Sequence, residues 1–240
     1  MKKHIAQTVM ALLLLVSAFF LSKEGAQLAN GTPKESKGVI VVDSGHGGID
    51  PGVIGQNEVK EKEINLAIAK KLERLLKVAG YDVIMTRKKD EGLYEENMVR
   101  EKDEELGKSK VEDLKYRVSL MNEKKPSLAV SIHQNSYPDE QVCGPQVFYY
   151  EGSAEGKKLA ICIQEALNEK LKIEHPRVEK SNRTYYLLKR SEGILNIVEC
   201  GFLSNTEEAE KLTSEEYQEQ VAEAVCEGIL QYLKKQAPVL

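Results

Sequence analysis

The sequence has no surplus of positive charge: 34 lysines and arginines stand against 38 aspartates and glutamates, a formal net charge of -4. Proteins that hold nucleic acid usually present a strongly basic face, so nucleic acid is not expected as a partner. Paired cysteines are lacking too. Cys143, Cys162, Cys200 and Cys226 lie far apart without C-x-x-C spacing, which argues against a cysteine-based structural zinc site. Disulfides are tolerated in an exported chain, but nothing in the spacing demands them, and each thiol reads as a small buried hydrophobe. None stands at a helix amino-terminus or beside a histidine as thiolate activation requires, so a cysteine nucleophile is set aside. No apolar run reaches the ~20 residues of a comfortable membrane span; "VMALLLLVSAFFL", Val9 to Leu21, has thirteen.

That run follows the basic "MKKHIAQ" and breaks into the polar "SKEGAQLANGTPKESKG". It reads as an export signal over 1–23, the alternative being a short uncleaved anchor, because no clean small-x-small cleavage site follows. Either way the rest of the chain works outside the cytoplasm, behind a linker over 24–38. The remainder of the 240 residues, in a chain 41% apolar and 30% charged, has the composition and length for one core of ordinary size. A single domain is expected over 39–235.

From Val39 onward two periods alternate. "GVIVVDSG" suits a strand buried on both faces, and "EKEINLAIAKKLERLLKVAG" repeats Ile64, Ile68, Leu72, Leu75 and Ala79 at helical spacing before Gly80. "YDVIMTR" is the next strand. A helix "VEDLKYRVSLMNEKK", strands "SLAVSIHQN" and "PQVFYYE", a helix "GKKLAICIQEALNEKL", a strand-like "TYYLLKR", a strand "ILNIVECGF" and a helix from about Ser214 to Lys235 follow. Val221, Val225, Ile229 and Leu233 put core packing on that last helix. The mixed-sign stretch from Arg87 to Asp113 reads as solvated helix or loop, with a lid or docking surface as the alternative. The pattern predicts an α/β fold: a mostly parallel twisted sheet with helices on both faces.

In such sheets functional groups gather at the carboxyl ends of strands. "VVDSGHGGIDPG" sets His46 among glycines directly after the first strand. A loop so poor in side chains costs conformational entropy, so something approaches closely there, an anion held by backbone N–H groups or a metal held by the ring. His133 ends "LAVSIHQN", with Ser131 and Asn135 on its face, and Glu199 stands near the end of "NIVECGF". Cys200 points the other way, into packing. A lone histidine at a strand end is usually structural, and Glu61, in the first turn of a helix, is accounted for by the helix dipole. Glu199, flanked by Val198 and Phe202, is harder to dismiss, since an ionised carboxylate in apolar surroundings needs compensation. Together, two imidazoles and a carboxylate make a three-ligand zinc set with an open position for water, leaving a second carboxylate as acid/base.

"DSGHGGIDPG", "KEKEINLAIA", "SIHQNS" and "VECGFLSN", in that order, resemble the zinc-dependent N-acetylmuramoyl-L-alanine amidases of the amidase_3 type, over roughly Val39 to Leu233. The resemblance implies one zinc ion held by His46, Glu61 and His133, with Glu199 as the catalytic glutamate. It implies hydrolysis of the amide between the lactyl group of N-acetylmuramic acid and L-alanine in peptidoglycan. Two positions depart from the family pattern, Ser44 for proline and Cys200 for leucine, and neither supplies a ligand. The interval from His46 to Glu61 is one residue longer than usual, which makes Glu58 and Glu63 rivals; only Glu61 is followed by lysine, an acidic residue and the helix. Asp43 is a candidate partner for the non-ligating nitrogen of a zinc histidine, the alternative being a turn former. Asn135 and Arg87 are candidates for binding substrate, the guanidinium suiting a stem-peptide carboxylate.

"EDLKYRVSLMN", "GPQVFYYEG" and "NRTYYLLKRSEGILNIVECGFLSN" are further similar to the germination-specific amidases of spore formers. That subgroup trims stem peptides from spore cortex before a deacetylase closes muramic acid into its δ-lactam. It implies membrane association or residence in the forespore intermembrane space, with an accessory lipoprotein and the deacetylase as possible partners. The interval from His133 to Glu199 leaves little room for the long inhibitory helix of some division amidases. Two other classes compete: a different zinc hydrolase of the wall, such as a peptidase, and a non-catalytic wall-binding regulator that kept the fold.

Overall fold

A computed structural model describes residues 35–55, 58–93 and 104–236. The expected signal or anchor and the linker as far as residue 34 lie outside the described residues. Contacts divide the chain into Met1–Ser36 and Lys37–Leu240, and every element described below belongs to the second unit. Among the described residues no helix is long and apolar enough to cross a membrane.

The elements follow in the order β1 (Val39–Ser44), α1 (Glu61–Val78), β2 (Asp82–Met85), α2 (Glu104–Lys124), β3 (Leu128–Asn135), β4 (Gln146–Tyr150), α3 (Ala154–Lys170), β5 (Lys180–Asn182), α4 (Tyr186–Arg190), β6 (Leu195–Phe202), α5 (Thr206–Thr213) and α6 (Glu215–Gln236). They form one six-stranded sheet in the order β2-β1-β3-β6-β4-β5. The sheet is mostly parallel; β4 alone meets its neighbour β6 in antiparallel pairing, and β5 runs alongside β4.

Strand alternation sends successive side chains to opposite faces, and each face carries its own apolar layer. Ile40, Val42, Val130, Ile132 and Val198 pack on one side with α1, α3 and α6. Val41, Ala129, Leu195 and Ile197 pack on the other, under α2 and α4, with Met121 and Leu187. The helices thus lie on both faces, as the alternating periods predict. On α1 the buried stripe is Ile64, Ile68, Leu72 and Leu76, each contributing roughly 1.5–3 kcal/mol through burial. Its first turn has no side-chain cap; instead the Glu61 and Lys62 N–H groups donate to the carbonyls of Val53 and Pro51, at 2.9 and 3.1 Å, which turns the helix start into the end of β1.

Three sequence expectations need correction. "TYYLLKR" is not a strand: Asn182 Oδ1 accepts the N–H groups of Thr184 and Tyr185 at 2.7 and 2.8 Å, bending the chain into the short helix α4, which buries Leu187 and Leu188. The mixed-sign stretch is in part the beginning of α2, with 94–103 outside the described residues. Cys143 is exposed rather than buried; Cys162, Cys200 and Cys226 are buried, and all four thiols are free. Cys200 does pack beneath the sheet, in the α1 layer.

Ser44 ends β1 fully buried, and its hydroxyl has no hydrogen-bond partner among the described residues. A buried unsatisfied hydroxyl costs about 1–3 kcal/mol. Ser44→Ala therefore raises stability by about 1 kcal/mol after the small void is charged against it. Urea melts check this: the midpoint rises at constant slope.

Candidate metal centre

The carboxyl ends of β1 and β3 and the start of α1 meet at one point. His46, Glu61 and His133 each bring a donor atom there, all within 4.8 Å of one another. Glu61 Oε2 lies 3.1 Å from His46 Nε2, and Glu61 Oε1 lies 3.0 Å from His133 Nδ1. The two rings stand edge to face with centroids 4.9 Å apart. Tetrahedral zinc with bonds of ~2.0–2.1 Å separates its ligand atoms by roughly 3.3 Å; the two histidine–carboxylate separations, made to different oxygens of Glu61, lie near that value, and the set as a whole stays within 4.8 Å. Glu58 and Glu63 take no part in this cluster.

The glycines are explained by what they face. A Cβ on Gly45 would fall 2.2 Å from the His133 ring, and one on Gly52 would fall 2.4 Å from Glu61 Oε2. Gly52 also has φ +69°, and His46 itself is held at φ +60°, a region an ordinary residue enters only at a cost. A close approach to this loop is present, but what stands against its glycines is the ring of His133 from β3 and the carboxylate of Glu61 from α1.

Each donor is aimed by a second contact. His46 Nδ1 donates to Asp50 Oδ2 at 2.7 Å, leaving Nε2 toward Glu61. Burial disfavours a charged ring, yet the hydrogen bonds to Asp50 and Glu61 outweigh it and push the His46 pKa up to about 9. Glu61 is almost wholly buried and accepts from Asn65 Nδ2 and from the Gln134 and Val53 N–H groups. Burial works against its charge, but His133 and His46 hold it well below the usual carboxylate range.

Glu199 pairs across β3–β6 with His133 and is the odd member. Its Oε2 is buried without any hydrogen-bond partner among the described residues. Burial, and then the charge of Glu61, push its pKa up to about 7 against the pull of His133. All four groups line one cavity of about 390 Å³, together with Leu114 of α2, Leu187 of α4 and Tyr185 at the start of that helix.

Residues 40–231 match the model of a protein family, Amidase_3, N-acetylmuramoyl-L-alanine amidase. The chain belongs to the Amidase_3 family. It is 37% identical over 194 residues to the germination-specific N-acetylmuramoyl-L-alanine amidase of Bacillus subtilis, covering 81% of this chain and 79% of that one. Among solved structures it is similar to the CwlD amidase of Clostridioides difficile in complex with the GerS lipoprotein, with a TM-score of 0.79 and 37% identity over 83% of this chain and 100% of that one. It is also similar to an N-acetylmuramoyl-L-alanine amidase of Clostridium difficile 630, with a TM-score of 0.71 and 30% identity over 83% of this chain and 98% of that one.

The remaining candidates in this Amidase_3 chain fall elsewhere. Among the described residues Asp43 makes no hydrogen bond to a histidine: it lies buried and accepts from Thr86, Arg117 and Ser131 at 2.5–2.7 Å. Arg87 is buried as well, its guanidinium spent on the carbonyls of Ser44, Gly45, Lys62 and Lys89, so it has no arm to offer a substrate. Asn135 is not among the residues lining the cavity. The register shifts between His133 and Asn135, and the Asn135 side-chain oxygen accepts the Ser136 N–H at 2.8 Å. Sequence reasoning missed Asp50, the partner of His46, although its spacing of four in "HGGID" was a readable signal. It also missed Arg117, which donates to the Ser44 and His46 carbonyls and to Asp43; no local pattern marks it.

Proposed function

We propose that this chain is a zinc-dependent amidase that cleaves the amide between N-acetylmuramic acid and L-alanine in peptidoglycan, acting outside the cytoplasm on spore cortex as the first step toward muramic δ-lactam. The observation that carries it is the unpartnered carboxylate oxygen of Glu199 in the same cavity as the His46, Glu61 and His133 donors.

A zinc ion held by His46, Glu61 and His133 would supply Lewis acidity, activating water and polarising the scissile carbonyl. The chain's own residues do the rest. Asp50 accepts the Nδ1 proton of His46, so that Nε2, which gives up its own proton when a metal binds, is the ligand atom. Glu61 is locked by donors from Asn65, Gln134 and Val53, which fixes its oxygens before any substrate arrives. Glu199 accepts the proton of the attacking water and returns it to the leaving nitrogen, a task suited to a carboxylate whose pKa lies near neutrality. Leu114, Tyr185 and Leu187 contribute apolar surface to the cavity in which that transfer takes place.

A lipoprotein partner is proposed from the likeness to the amidase bound by GerS, and a deacetylase would act on the trimmed glycan. Membrane association or residence in the forespore intermembrane space goes with that reading. The test is digestion of purified cortex followed by mass spectrometry. Release of intact stem peptides beginning with L-alanine, leaving a free lactyl carboxylate, is expected; chelator stops it and added zinc restores it. Cleavage within the stems would identify a peptidase, and no cleavage with zinc bound a non-catalytic binder.

A further inference from the structure

Among the described residues the cavity around Glu199 is lined by one lysine and no arginine: Lys110, one turn before Leu114 on α2. Its Nζ lies 2.8 Å from Asp50 Oδ1. Asp50 does not depend on that contact, since its other oxygen takes the His46 proton at 2.7 Å and Oδ1 also accepts the Gly52 N–H at 3.2 Å. Lys110 in turn is about half exposed and uses one of its three protons there. Apart from the two histidines and the metal they would hold, this ammonium is the cationic group among the described residues that line the cavity, which also carries Glu61 and Glu199.

The stem peptide is an anion. After the L-alanine comes a glutamate joined onward through its side chain, so its α-carboxylate stays free, roughly 7 Å from the scissile nitrogen for two extended residues. A carboxylate entering a largely apolar cavity needs a cation, and a lysine on a flexible stem can turn from Asp50 to meet it. Resting on the amidase reading, we propose that Lys110 is the specificity residue that binds the free α-carboxylate of the second stem residue.

The test compares muramoyl-L-Ala-D-Glu with its α-carboxamide, muramoyl-L-Ala-D-isoglutamine, on the zinc-loaded full chain, its Lys110→Met variant and its Lys110→Glu variant. The parent prefers the acid by about 10-fold in kcat/KM, through KM, the size of one charge-assisted contact. Lys110→Met brings the acid down to the level of the amide, and Lys110→Glu inverts the order. A preference that survives in Lys110→Met overturns the proposal, as does an equal fall in kcat on both substrates, which would make Lys110 a prop for Asp50. Calorimetric binding of the dipeptides L-Ala-D-Glu and L-Ala-D-isoglutamine separates the two readings. Acid-selective binding that requires Lys110, without hydrolysis, keeps the subsite and defeats the amidase; hydrolysis without selectivity does the reverse.

Discussion

On the proposed function, Glu199→Gln is expected to bind zinc as the parent does and to hydrolyse cortex about 10³-fold more slowly, within the 10²–10⁴-fold range for removal of a general base. The substitution keeps the shape of the side chain and takes away only the capacity to hold a proton and give it back. Glu199 is suited to that exchange because it is buried, has one oxygen without a partner, and carries a pKa pushed up to about 7 by burial and by Glu61. It stands outside the His46, Glu61 and His133 cluster, so metal content is expected to be preserved. His46→Ala or His133→Ala differs in kind, losing metal and activity together. Metal analysis beside muropeptide release distinguishes the cases, and a Glu199→Gln protein with parental turnover would remove Glu199 from the reaction.

Asp43→Ala costs about 3–5 kcal/mol of folding stability, the range for breaking a buried ion pair from one side. Both partners are essentially without solvent exposure. The Arg117 guanidinium reaches Asp43 at 2.5 Å and Asp113 at 2.5 Å, and with Asp43 gone its charge is left half compensated. Against a total of about 5–15 kcal/mol such a loss brings the chain near unfolding at growth temperature. The same pair predicts acid lability. Burial opposes the Asp43 charge, but Arg117 and the hydrogen bonds of Ser131 and Thr86 outweigh it, so the folded pKa lies below the ordinary carboxylate value. Its stabilisation is therefore present above the unfolded pKa of ~3.9 and is lost as pH falls through the folded one. Urea melts from pH 7 to 3 should decline at the acid end, less steeply in Asp43→Asn than in the parent. A variant within about 1 kcal/mol of the parent at pH 7 would show that Arg117 is stabilised by other means.

Asp43 and Arg87 also mark where sequence reading reaches its limit. Both stand at strand ends among polar residues, the position that correctly draws attention to His46, His133 and Glu199. The end of a buried strand must also have its own carbonyls and loops secured, and these two do that instead. A sequence lists donors without saying which are already consumed. Glu61 had a sufficient local explanation in the helix dipole, and only the approach of β3 to α1 makes it a partner of both histidines. Arg117 is seventy-one positions from His46, beyond any local pattern. For the fold, long periodic segments such as α1 and α6 were legible, whereas α4 and α5 were too short to display a period. The N-cap of α5, Asn205 accepting from Glu208 N–H, was the readable sign of that helix. The reversed direction of β4 leaves no trace in "PQVFYYE", because alternation looks the same from either end.

The unequal exposure of the four thiols has a practical consequence. Cys143 alone meets solvent and is not among the residues lining the Glu199 cavity, while burial raises the pKa of Cys200 and of Cys226, the latter to about 11. A maleimide dye will accordingly attach at one sulfur in the unaltered sequence, giving a fluorescent reporter outside the cavity that holds Glu199.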